Sequence, residues 1–197
     1  MNAPATPDPA AEQITEEERA RLIQLLQDSR VAFLDLVSGL TDTQWTYKAA
    51  PDTWSIQEAA EHIVLAESAL FSKMEEALAG PPNPAWETAT AGKTEFIEKV
   101  MPERRRKAQA PGPLHPHGHW TLAETITRFQ AGRTRTLRFV AETGLALRNY
   151  TSEHPFPVFN ALNAYQWLLY IPLHNMRHCR QIVDVKSSAG FPQVSDA

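Results

Sequence analysis

The stretch Trp54-Ser55-Ile56-Gln57-Glu58-Ala59-Ala60-Glu61-His62-Ile63 reads as the start of a helix that also carries chemistry. Ser55 followed three residues later by Glu58 is a capping box: the hydroxyl accepts from the Glu58 amide, and the carboxylate turns back to the Ser55 amide. Ile56, Ala59, Ile63, Ala66, Leu70 and Met74 then recur at helical spacing, and Gly80-Pro81-Pro82 stops the run after Ala79. His62 falls three residues after Ala59 and four before Ala66. It therefore borders the apolar stripe instead of facing solvent.

The same start signal occurs twice more, at Thr15/Glu18 and at Thr121/Glu124. The first opens a segment from about Thr15 to Ser38, with Leu22, Leu25, Leu26, Phe33, Leu36 and Val37 on one face. The second opens a segment from about Thr121 to Glu142 that closes near Gly144. A fourth helical segment runs from about Asn160 to Val185, and no alternating apolar run with a hairpin turn predicts a strand. The expected fold is all-α, a four-helix bundle. The connection between the second and third helices, Gly80 to Trp120, is about 40 residues long, far more than neighbouring antiparallel helices need. A helix of about 24 residues is about 36 Å long. Two such helices placed parallel require the chain to return along the whole bundle, so we expect a long crossover there, with a short extra helix within Thr94 to Lys107.

The 197 residues, 43% of them hydrophobic, suffice for one core. Residues 1–13 read as a Pro/Ala-rich disordered tail without a secretory signal, 14–185 as the bundle, and 186–197 as a loose polar tail. No apolar run of about 18 residues predicts a membrane span. The lone Cys179 excludes an internal disulfide, and cytoplasmic residence is expected. The formal net charge is −4. Apart from the short run Arg104-Arg105-Arg106-Lys107, read as a solvated loop, no basic stripe invites nucleic acid.

The fourth segment contains Tyr170-Ile171-Pro172-Leu173-His174-Asn175-Met176-Arg177-His178-Cys179-Arg180-Gln181-Ile182. On a helix, His174 and His178 stack one above the other on a face otherwise formed by Trp167, Ile171, Ile182 and Val185. Unpaired buried polar groups cost about 1–3 kcal/mol each, and a metal ion would satisfy both rings at once. Of the seven histidines, only His62 also lies inside an expected helix. Helix axes pack about 8–10 Å apart, a gap that two imidazoles and an ion can bridge. Taken singly, each ring could equally form an ordinary hydrogen bond.

The pattern Trp54-Ser55-Ile56-x-Glu58-x-x-x-His62-Ile63, followed by His174-x-x-x-His178-x-x-Gln181-Ile182, resembles the DinB superfamily. The resemblance spans residues 15–185. It implies a four-helix bundle with a long crossover between the second and third helices, in which His62, His174 and His178 hold a divalent metal. It further implies an enzyme, a thiol S-transferase using low-molecular-weight thiols or a metal-dependent hydrolase; the alternatives are a metal-binding or stress-associated protein without turnover, and a metal-free bundle whose histidines bond to each other or to Glu58. A small-molecule substrate is expected. The resemblance also allows a homodimer through a bundle face, although no residue pattern asks for one.

Three neutral imidazoles suit zinc or nickel, with iron also compatible, and leave a coordination position open. Glu58, one turn before His62, and Gln181, three residues after His178, are candidates to orient the rings. Glu58, Glu61 and Tyr170 are candidate general bases by nearness in sequence alone. Pro172 should remove the bond to the Leu168 carbonyl and kink the helix. Cys179 lies about 100° around from His178 and reads as a small buried hydrophobe. His115-Pro116-His117-Gly118-His119 reads as a solvated loop, and His154 carries no signal. The tryptophans read as packing residues, one or two of them lining a pocket mouth.

Overall fold

The computed structural model of the protein describes residues 13–103 and 112–193. Four long helices form the body: α1 (Glu16–Val37), α3 (Ile56–Ala79), α6 (Leu122–Glu142) and α7 (Ala164–Lys186). Short helices α2 (Asp42–Thr46), α4 (Trp86–Thr90) and α5 (Lys93–Val100) lie in the connections. The fold is an all-α four-helix bundle. α3 and α1 both pack against α7 on one side and against α6 on the other. This places α1 diagonal to α3 and α6 diagonal to α7.

α1 and α7 point the same way. Lys186 Nζ donates to the Leu36 carbonyl at one end (2.8 Å), while Arg148, which lies over the Tyr165 ring in the first turn of α7, pairs with Glu18 at the other. α3 and α6 also share a direction: Gln57 Nε2 donates to the Trp120 carbonyl beside both starts (2.9 Å), and Phe71 meets Phe139 further along.

The three capping boxes read from sequence form as expected at Thr15, Ser55 and Thr121. Two more were not read. Thr41/Gln44 opens α2, and Asn163/Gln166 opens α7. The fourth helix accordingly begins at Ala164, not near Asn160. The residues expected to be its first turn instead form a strand. β1 (Thr151–Glu153) and β2 (Ala161–Asn163) pair antiparallel, with Ser152 opposite Leu162. Asn160 turns the chain into β2 with φ of 47°, a left-handed conformation that asparagine tolerates. Strands this short show no alternation, which is why the pattern gave no warning.

The first half of α7, from Ala164 to Leu173, is buried throughout, because α1, α3, α5 and β2 all pack around it. The helix continues without a break through Pro172. At mid-bundle the core is charged. Arg133 on α6 is fully buried and meets the Glu67 carboxylate of α3 with two bonds of 3.0 Å. The same guanidinium donates to the Leu26 carbonyl and to Ser29 Oγ of α1.

The C-terminal piece expected to be loose is anchored through Pro192. Phe191 packs edge-on against Tyr47, and Gln44 donates to the Pro192 carbonyl. The N-terminal tail (residues 1–12), the basic run Arg104–Lys107 and residues 194–197 lie outside the described residues. No helix among the described residues is long and apolar enough to cross a membrane.

Candidate metal centre

α3 begins at its capping box with its N-terminal end against the C-terminal half of α7, so that His62, in the second turn of α3, faces the His174/His178 pair. The three rings meet, with centroids 4.5 Å apart for His62–His178 and His174–His178 and 5.2 Å for His62–His174. One ligand-capable atom from each lies within 4.8 Å of the others. Among the described residues, no other group of three or more His, Cys, Asp or Glu side chains comes together in this way. His62 and His178 are buried, and His174 is partly exposed at the mouth.

The outer nitrogens fix the tautomers. His62 Nδ1–H donates to the Leu114 carbonyl (2.7 Å), and His178 Nδ1–H donates to Gln181 Oε1 (2.9 Å). Both acceptors lack a proton to give, so the Nε2 lone pairs of both rings point inward. His178 Nε2 and His174 Nε2 are 3.2 Å apart. Two nitrogens each about 2.0–2.1 Å from one tetrahedral zinc would be about 3.3 Å apart. The His174/His178 pair therefore has the spacing of two ligands on one such ion, with a His62 nitrogen within 4.8 Å of both.

Burial holds the His174 pKa well below the ordinary imidazole value, helped by the neighbouring His178, His62 and Arg177. Burial also lowers that of His62, against the opposing bond to Leu114. Both rings are thus neutral, as ligands must be.

Trp54 lies against the cluster, its ring 4.9 Å from His62 and nearly parallel to His178 at 6.0 Å. It is the tryptophan at the site, whereas Trp167 is buried in the core. Gln181 orients a ring as anticipated. Glu58 does not: its carboxylate bonds the Ser55 amide (2.8 Å) and Lys48 (2.7 Å). Glu61 is buried and accepts from the His117 and Gly118 amides at 3.1 and 2.6 Å. Tyr170 is buried, which pushes its phenol above the ordinary value, and its ring stacks on His174 at 5.9 Å. None of the three is a free base. Cys179 points away as expected, donating to Asn175 Oδ1, and burial pushes its thiol to about 12.

A family model of the DinB superfamily matches residues 15–182. The chain belongs to the DinB superfamily. The uncharacterized protein YuaE of Bacillus subtilis (strain 168) is 23% identical over 164 residues, covering 83% of this chain and 96% of that one. Among solved structures, YfiT from Bacillus subtilis covers 95% of this chain and 94% of its own, with a TM-score of 0.57 and 14% identity. YfiT is described as a probable metal-dependent hydrolase with an unusual four-helix bundle topology. At that identity the likeness speaks for the fold.

Three features of this DinB-superfamily site were not legible in the sequence. The Leu114 carbonyl, the two amides bound by Glu61 and the course of residues 114–120 along the start of α3 are backbone contributions, which no residue pattern announces. The His115–His119 loop keeps its imidazoles exposed, as a solvated loop does, yet its backbone closes over α3. Gly118, with φ of 68°, was the one available signal of a tight turn.

Proposed function

We propose that the protein is a divalent-metal-dependent enzyme of the hydrolase or thiol S-transferase type, with His62, His174 and His178 as the metal ligands. The observation that carries this reading is the convergence of three imidazoles with two of their outer nitrogens already committed to protein acceptors. In a purely hydrogen-bonded trio the one proton on His174 Nε2 can serve only one of the two inward lone pairs, and the other stays unsatisfied, which costs free energy. A divalent ion there supplies a Lewis-acid position that activates water or a thiol at neutral pH. With no carboxylate in the ligand set, the ion's double charge stays uncompensated, which favours an anionic or ionisable small molecule at the open position. Zinc or nickel suits the donors best, and iron is compatible. Trp54 and Tyr170 flank the histidines with flat apolar surface and would limit water around the reacting atoms.

A metal-binding role without turnover is the second reading. It is favoured by the engagement of Glu58 and Glu61, the two carboxylates nearest His62 in sequence, with other groups.

The test is metal content of untagged protein by elemental mass spectrometry, beside His174→Ala and His62→Ala. The expected result is about one equivalent per chain in the wild type and less than about a tenth of that in either variant. Loaded protein is then assayed with ester and amide substrates and with thiols plus electrophiles. No stoichiometric metal, even after zinc or nickel is added back, would remove the enzymatic reading. Stoichiometric metal without turnover would favour the second.

A further inference from the structure

Glu61 is 2% exposed, and among the described residues no arginine or lysine pairs with it. A carboxylate removed from water needs strong partners. It finds two in consecutive main-chain amides, those of His117 and Gly118, which the left-handed turn at Gly118 directs to the same oxygen. Successive amides turned this way form an anion-binding nest, and bonds to an ionised acceptor are the stronger kind. Three residues before His117, the same strap presents the Leu114 carbonyl to His62 Nδ1. Pro116, buried between the two anchor points, stiffens the segment that joins them. Helix α3 therefore grips the strap twice through adjacent residues: Glu61 accepts hydrogen bonds from its amides, and His62 Nδ1–H donates one to its carbonyl.

We propose that Glu61 is a positioning residue for the metal centre, acting through the strap of residues 114–118 to hold the Leu114 carbonyl on His62. The consequence is a tautomer. With Leu114 in place, His62 carries its proton on Nδ1 and offers Nε2 to the ion. Without it, the ring is free to hold the proton on Nε2, which cannot ligate. This inference rests on the three-histidine metal reading, but its structural half can be measured without metal.

The experiment uses full-length wild type, Glu61→Gln, Glu61→Ala and a control truncation at the other end of the bundle, Val140→Ala. Zinc affinity is measured by competition with a chromophoric chelator. The His62 tautomer is read from nitrogen-15 shifts in metal-free protein. Glu61→Ala is expected to weaken zinc binding about 10–100-fold, the usual cost of losing a partner behind a ligand, with a smaller loss for Glu61→Gln. His62 should move from the Nδ1–H form towards a mixture. Val140→Ala, which destabilises the fold, should leave affinity and tautomer unchanged. Wild-type affinity and an Nδ1–H ring in Glu61→Ala would overturn the proposal, as would equal losses in Val140→Ala. Should Glu61→Ala not fold, Glu61→Gln decides. Should the wild type bind no zinc, the metal reading fails and the tautomer alone decides the role of Glu61.

Discussion

His154 lies in the turn before β2 with its ring nearly parallel to Trp167 at 5.0 Å and 4.5 Å from Phe159. The Phe156 amide donates to its Nδ1 at 2.9 Å, a bond that requires the unprotonated nitrogen. Burial, with Lys73 nearby, pushes its pKa down from 6.5 to about 4. An unfolded chain takes up this proton as pH falls below 6.5, while the folded one resists until about 4. The unfolded state then binds more protons, so the stability contribution is fully present above the unfolded value and is lost as pH falls through the folded one. Urea midpoints of metal-free protein should drop across that window, and His154→Phe should flatten the part of the slope that belongs to this ring. Identical slopes in the two proteins would sink the assignment. Tyr170 stacks on both His154 and His174, so the aromatic cluster continues up to the candidate metal centre.

At the scale of the element, each long helix begins at a side-chain cap, and the caps decide where the site residues fall. α7 shows this most clearly. Asn163 Oδ1 accepts from the Gln166 amide, and Gln166 Oε1 accepts from the Asn163 amide. Gln166 also donates to the Thr90 carbonyl, which ties the start of α7 to α4. His174 and His178 are counted from this cap, so a helix that started a turn earlier would still place them on one face but would have no room for β2. Asn163→Ala is expected to lower stability by about 1–2 kcal/mol, at the upper end for a cap because the residue is buried. Denaturant unfolding checks the figure, and a change under about 0.3 kcal/mol would show that the ribbon, not the cap, defines the helix start.

For the whole molecule, the buried Arg133–Glu67 pair joins α6 to α3, and the bonds of Arg133 to Leu26 and Ser29 add α1. Thr136 Oγ1 donates to Glu67 as well, so the carboxylate is multiply bonded. Removing one partner strands the other charge in the core. Glu67→Ala or Arg133→Ala should therefore cost about 3–5 kcal/mol, whereas the double replacement Glu67→Leu/Arg133→Met should cost much less than the sum. A double-mutant cycle in urea measures this, and additive losses would mean that the two residues act independently. The pair fixes how α3 is rotated between α6 and α7. That rotation decides whether His62 faces the histidines of α7.

The amino-acid sequence by itself determined the four long helices, three of their caps and the identity of the histidines that meet. The helices, the caps and the His174/His178 pair follow from local physics: capping hydrogen bonds within three residues, apolar side chains at helical spacing, and the vertical stacking of positions four apart; His62 joined that pair only through the family resemblance. The tertiary structure alone decided the rest. Arg133 and Glu67 read as surface charges until the bundle closes around both. Glu58 and Glu61 read alike as candidate bases, yet one is held by a lysine and a cap and the other by two main-chain amides. The Leu114 carbonyl has no sequence signature at all. It reaches His62 because the chain returns to α3 after leaving it more than thirty residues earlier, and contacts made by the backbone across such separations are set by packing, not by the residue types that carry them.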